Sequence, residues 1–306
     1  MNVLPPAYPD DMSRLLDPKT LLAIKDLPLA AKTAVDGFMA GMHASKVKGA
    51  GLEFSQYRSY QPGDDLRWLD WKMYARSDRY YIRESEMETS IDIRLLIDAS
   101  NSMLHAEDGI VKMEYARYLA ASLGYLSHLQ GDATGLAVLH HGDLFSMAPR
   151  REAQHMARFY YQLEQINPGG KFTEPIHYRN LFTGAHTRQL LIFITDYYEQ
   201  NKEITTLLET LSALGHEIIV FHIAGKNEGS GNFKGYDAVE DLETGELVVL
   251  DNTTNPEDYT KKFEQYTTAL RTQLLEKRIY YRQLLLQEPL DTALRDFLNQ
   301  RNKLRR

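Results

Sequence analysis

The strongest constraint on this chain is an apolar run, Gln189–Asp196, which reads QLLIFITD. A run of this kind, apolar without alternation, is a central strand of a parallel sheet covered on both faces. A second strand is read at Ser90–Asp98 (SIDIRLLID). Around these two, strand and helix patterns alternate. Lys112–Gln130 is an amphipathic helix, with Ala116, Leu119, Ala120, Leu123 and Leu126 on one stripe and Gly131 as its stop. Ala133–His140 is a strand, and Gly142-Asp143 turns the chain into a short antiparallel edge strand, Leu144–Ala148. Helices follow at Arg151–Ile166, Glu203–Leu214, Pro256–Lys277 and Leu290–Asn299, with strands at His216–Ala224 and Ile279–Gln287. The order predicts an α/β fold, a mostly parallel sheet with one antiparallel edge strand and helices on both faces.

Three regions are expected. Residues 1–45 form an N-terminal arm and helices, with Asp17-Pro18 as a helix start and a helix over Lys19–His43 whose candidate break is Pro28. Residues 46–89 form a β segment, dense in charge, that holds both tryptophans. Residues 90–306 form the α/β domain, with an insertion at 225–255 in which Glu243-Thr244-Gly245 turns a hairpin between Tyr236–Leu242 and Glu246–Leu250. The last 51 residues carry 11 basic and 7 acidic side chains, read as a solvated helical face.

Composition removes several function classes. The chain has no cysteine, which excludes disulfides, thiolate catalysis and zinc–cysteine sites. A net charge of −7 speaks against a nucleic-acid binder. The start MNVLPPAYPDDMSRLL has neither a basic nor an apolar stretch of a secretory signal, and no apolar run approaches the ~18 residues of a membrane span. The expectation is a cytoplasmic protein without direct membrane insertion.

In open sheets of this class, ligands bind beyond the carboxyl ends of the strands. The first strand ends in Asp98-Ala99-Ser100-Asn101-Ser102, and QLLIFITD ends in Asp196. Between them, Gly169-Gly170-Lys171-Phe172-Thr173 offers a further hydroxyl on a glycine-rich turn. Carboxylates and short hydroxyls at alternating turn positions make a partial oxygen shell for a hard cation such as Mg²⁺. A plainer reading stays open: Ser100 and Ser102 cap the following turn, and Asp98 accepts backbone N–H groups.

Asp98, Ser100, Ser102, Thr173 and Asp196 together resemble the metal-ion-dependent adhesion site of von Willebrand factor A (vWA) domains. The upstream block is similar to a narrower signature. Gly51–Phe54, Arg58-Ser59-Tyr60-Gln61-Pro62-Gly63-Asp64-Asp65, Arg67, Asp70-Trp71, Ala75-Arg76 and Arg83-Glu84, with Asp241–Gly245, resemble the bacterial domain-of-unknown-function 58 family. That resemblance implies a vWA-like, Rossmannoid sheet. It also implies a non-enzymatic adaptor or co-chaperone partnered with a MoxR-type AAA+ ATPase and with protein clients. By the same analogy, Ser100, Ser102 and Thr173 would touch Mg²⁺ (or Mn²⁺ in vitro), Asp98 and Asp196 would act through water, and a partner's carboxylate would fill the last position.

Rival readings are few. No P-loop, dinucleotide-binding, zincin or nucleophile-elbow string is present. A phosphatase of the haloacid-dehalogenase type would need an Asp where Ser100 stands, though a Mg²⁺-dependent hydrolase using the strand-end aspartates stays an alternative. His140-His141 lacks ligand spacing, and the tyrosine doublets read as amphipathic packing. Arg58, Arg67, Arg76 and Arg83 either pair with nearby carboxylates or form a docking surface for the ATPase.

Overall fold

The computed structural model of the 306-residue chain describes residues 16–47, 56–60, 74, 80–84, 90–139, 144–172, 188–230, 238–249 and 256–304. In chain order the first elements are α1 (Pro18–Ala23), α2 (Leu27–Val47), β1 (Gln56–Ser59), β2 (Tyr81–Glu84), β3 (Asp92–Asp98), a 3₁₀ turn (Asn101–Leu104), β4 (Ala106–Glu107), β5 (Ile110–Val111) and α3 (Lys112–Leu129). There follow β6 (Ala133–Leu139), β7 (Leu144–Arg150), α4 (Ala153–Glu164), β8 (Leu190–Thr195), α5 (Glu203–Ala213), β9 (Glu217–Ala224) and α6 (Lys226–Ser230). The last elements are β10 (Ala238–Glu240), β11 (Leu247–Val249), α7 (Pro256–Glu276), β12 (Tyr280–Leu285) and α8 (Asp291–Leu304).

Six strands make the central sheet in the order β12-β9-β8-β3-β6-β7. All neighbours pair parallel except β6 and β7, so the expected antiparallel edge strand is there. Successive strand residues point to opposite faces, and the core divides accordingly. Ile93, Leu95 and Ile97 of β3 join one apolar layer with Phe38 of α2, Leu119 and Leu123 of α3 and Phe297 of α8. Leu96 joins the other, with Leu207 and Leu211 of α5 and Leu274 of α7. Helices thus cover both faces of a mostly parallel sheet, the expected α/β arrangement.

The N-terminal helices start as their sequences dictate. Asp17 Oδ2 accepts from the Thr20 N–H at 3.0 Å ahead of Pro18, and Asp26 Oδ1 accepts from the Leu29 N–H at 2.8 Å. Pro28 therefore lies in the first turn of a second helix, and the chain breaks at residues 24–26 just before it. β7 runs two residues further than expected, through Pro149. A register shift between Thr134 and Leu136 makes room for it, because a Cβ on Gly135 would meet Pro149 N at 2.9 Å.

The basic C-terminal tail is not wholly solvated. α8 continues to Leu304, and Arg301 is completely buried, clamped on the equally buried Asp132. Its Nη2 donates to Asp132 Oδ1 at 2.7 Å and to the Gln130 carbonyl at 3.1 Å, while Asp132 Oδ1 also accepts from the Ile91 N–H at 3.1 Å. One carboxylate thereby ties the start of β3 and the end of α3 to the last helix.

In the β segment, β1 and β2 pair antiparallel, with Arg58 opposite Ile82 and Arg83 opposite Tyr57. Arg67, Arg76, both tryptophans and His140-His141 lie outside the described residues. The tyrosine doublets split by face. Tyr160, Tyr197 and Tyr281 are buried, and Tyr161 is exposed.

Candidate metal centre

The strand order reverses beside β3. From β3 the chain builds outward through β6 to β7, then returns to place β8 on the other flank of β3 and builds the opposite way to β9 and β12. Such a reversal opens a crevice at the carboxyl ends of the two central strands. Ile97 pairs with Ile194, so Asp98 and the Thr195-Asp196 pair leave the sheet side by side. A separation of 98 positions in sequence becomes adjacency through register alone.

Four of the five expected residues form one hydrogen-bonded chain. Asp98 Oδ1 accepts from the Ser100 hydroxyl at 2.7 Å and from the Ser100 N–H at 3.0 Å. Ser100 Oγ lies 3.0 Å from Ser102 Oγ, and Ser102 Oγ donates to Asp196 Oδ1 at 2.9 Å. All four side chains are buried. The turn-capping reading is half right: Asp98 does accept a backbone N–H, but Ser100, the residue preceding the 3₁₀ turn, makes no side-chain cap bond. Both serine hydroxyls are aimed into the crevice cluster.

Thr173 lies outside the described residues. The glycine turn leading to it is stitched to the β3 loop: the Gly169 N–H donates to the Ala99 carbonyl at 2.8 Å and the Asn101 N–H to the Gly170 carbonyl at 2.9 Å. Gly170 has φ +68°, a backbone conformation that favours glycine.

Four further residues complete the surroundings, and reading the strand ends alone did not find them. The Thr195 hydroxyl donates to Asp98 Oδ2 at 2.6 Å, so both oxygens of that carboxylate are held. Lys112, the first residue of α3, is buried with its ammonium 3.0 Å from Asp196 Oδ2 and 2.6 Å from Glu228 Oε1. A lysine opening a helix opposes the helix dipole. That mismatch was the available signal that it must find carboxylates elsewhere. Glu228 in turn accepts from the Gly225 N–H at 2.6 Å. The fourth is Glu243, on the turn between β10 and β11. Its carboxyl reaches the Ser100 and Ser102 hydroxyls and faces Asp98 and Asp196. Its Oε1 is buried with no hydrogen-bond partner.

The electrostatics follow from three carboxyls around two hydroxyls. Burial first, and the nearby Asp196 second, push the Asp98 carboxyl up to about 7. Burial and the same two aspartates push Glu243 up to about 7. At Asp196 burial also acts upward, but the Lys112 ammonium and the Ser102 hydroxyl outweigh it and hold the carboxyl below its ordinary value. His222, buried nearby with Nδ1 2.6 Å from the Tyr281 hydroxyl, is pushed down to about 4 by burial and is neutral.

The donors fit a hard divalent cation. They are all oxygens, they converge, and one carboxylate oxygen among them is buried without a partner. Among the described residues no three Asp, Glu or His side chains are placed to hold an ion by themselves. A cleft of about 350 Å³, lined in part by Asp196, Tyr198, His222, Glu228 and Tyr259, opens beside the cluster. Among the described residues no helix is long and apolar enough to cross a membrane.

Residues 56–273 match the protein family described as "Protein of unknown function DUF58". An uncharacterized protein of Mycobacterium tuberculosis, Rv1480, is 26% identical over 244 residues, covering 78% of this chain and 76% of its own length. An aerotolerance-related membrane protein from Bacteroides fragilis is similar in structure at a TM-score of 0.47 and 17% identity, over 70% of this chain and 100% of that one. The conserved hypothetical protein BatB from Bacteroides thetaiotaomicron is similar at 0.47 and 19%, with the same coverage of both chains.

Proposed function

We propose that this chain, which belongs to the DUF58 family, is a protein-interaction adaptor whose strand-end cluster holds Mg²⁺ and through it captures an acidic side chain of a partner. The observation that carries this reading is the convergence of Asp98, Ser100, Ser102 and Asp196 at the point where the strand order reverses.

Each residue has a task in that reading. Ser100 and Ser102 present neutral hydroxyl oxygens, and Asp98 and Asp196 supply the charge behind them. Thr195 and the Ser100 N–H fix the orientation of Asp98, as Ser102 and Lys112 fix that of Asp196. Lys112 shares its charge with Asp196 and Glu228, so it offsets part of the negative field without occupying the hydroxyl face. When bound, the dication supplies an electrophilic centre that an incoming carboxylate can ligate. Thr173 is the proposed third hydroxyl, three residues beyond Gly170.

The partners we propose are a MoxR-type AAA+ ATPase and protein clients with an exposed Asp or Glu. Catalysis is not part of this proposal. The haloacid-dehalogenase type of phosphatase would need a second acid two residues after its nucleophilic Asp, and this chain has Ser100 there. The test is co-purification of the full chain with the ATPase of its own organism. Recovery in Mg²⁺, loss in EDTA, and loss in Ser100→Ala are expected. Recovery that is equal in EDTA and in the variant would replace the metal reading with an ordinary docking surface.

A further inference from the structure

Glu243 differs from the other acids of the cluster in how it arrives there. Asp98 and Asp196 are delivered by the sheet, whereas Glu243 is carried in by the β10–β11 turn, from an insertion. That turn is built to hold its shape. Asp241 Oδ1 accepts from the Glu243 N–H at 2.8 Å and from the Thr244 N–H at 3.1 Å. The Gly245 N–H donates to the Asp241 carbonyl at 2.7 Å, and Gly245 has φ +71°. The other Asp241 oxygen accepts from the Tyr198 hydroxyl, two residues past Asp196. The turn is thus anchored to the same loop that carries Asp196.

An anchored turn that ends in a buried, unpartnered carboxylate oxygen against two hydroxyls requires an explanation. Leaving such an oxygen without a donor is unfavourable, and more so when the group is charged. A cation on the hydroxyl face would satisfy it. Lys112 does not serve, because its ammonium contacts Asp196 Oδ2 and Glu228 on the other side of the Asp196 carboxylate from Ser102. Lys112 alone brings one positive charge against the carboxyls of Asp98, Asp196, Glu228 and Glu243, and a dication would bring three against four.

We infer that Glu243 is an internal ligand of this site, taking the place that the proposed function gives to a partner's acid, so that an external carboxylate must displace it. The inference rests on the metal reading above and adds to it a built-in competitor: the protein caps its own centre until a partner draws the β10–β11 turn away. Capture then depends on how firmly that turn is held, and Tyr198–Asp241 is the latch.

The test uses the full chain with Mn²⁺ as the probe, read by electron paramagnetic resonance, and acetate as the external carboxylate. Glu243→Ala is expected to weaken Mn²⁺ binding by about tenfold, and millimolar acetate is expected to restore several-fold of the loss in the variant while leaving the parent unchanged. Glu243→Gln, which keeps the shape of the turn, is expected to weaken binding in the same direction. If Glu243→Ala and Glu243→Gln bind Mn²⁺ like the parent, with no acetate effect, Glu243 is not a ligand although the metal reading survives. If the parent itself shows no bound Mn²⁺, both the inference and the reading beneath it are overturned.

Discussion

Asp98 is buried, accepts three hydrogen bonds and sits beside a second aspartate, so its ionisation would respond to a cation bound there. Its carboxyl ordinarily titrates near 3.8 and is raised to about 7 in the folded chain; Glu243 moves from 4.5 to about 7. Between those values the folded, cation-free protein binds more protons than the unfolded chain. The stability these two groups contribute is complete below about pH 4 and is lost as pH rises through about 7. Asp196, whose carboxyl is lowered, acts the other way but only below 3.8. Urea unfolding in EDTA is therefore expected to give midpoints that fall from pH 5 to pH 8. Saturating Mg²⁺ should flatten or reverse that trend, because the ion binds the deprotonated carboxyls. Asp98→Asn should reduce the slope seen in EDTA. An identical slope with and without Mg²⁺ would count against a cation at these residues.

At the scale of elements, the sheet positions the site and the last helix locks the sheet. The Arg301–Asp132 pair is sealed from solvent and joins α8 to the edges of α3 and β3. Removing one partner leaves the other charge buried and unpaired, which costs about 3–5 kcal/mol. Arg301→Met is expected to lower unfolding free energy by that amount in urea titrations, and the double change Asp132→Asn with Arg301→Met to recover part of it. A single variant within about 0.5 kcal/mol of the parent would mean the pair is not a clamp.

Which elements were legible follows from the same physics. QLLIFITD and SIDIRLLID announce buried strands because both faces are covered, and their final aspartates mark the crevice. The Asp–x–Ser–x–Ser spacing is local, so a reader can see three of the converging residues in five positions. Lys112, Glu228 and Glu243 are brought in from three other elements by tertiary packing; the helix-opening position of Lys112 is the one local hint, and it names none of the partners. Arg301 looked solvated for a similar reason. A basic tail reads as surface unless one knows that Asp132, 169 positions earlier, lies beneath it. Pro149 in β7 was hidden by the bulge at Gly135, which a strand pattern does not display.

At the scale of the whole molecule, a chain with net charge −7 is proposed to capture an acid. Long-range electrostatics disfavour that encounter, so the local dication must supply the attraction. The claim on which this depends is that the strand-end oxygens bind that ion. Calorimetric titration of Mg²⁺ into the full chain tests it most directly. The account predicts weak single-site binding in the parent and none in a folded Ser100→Ala, Ser102→Ala double variant; an unchanged isotherm in that variant, or no binding in the parent, would contradict it.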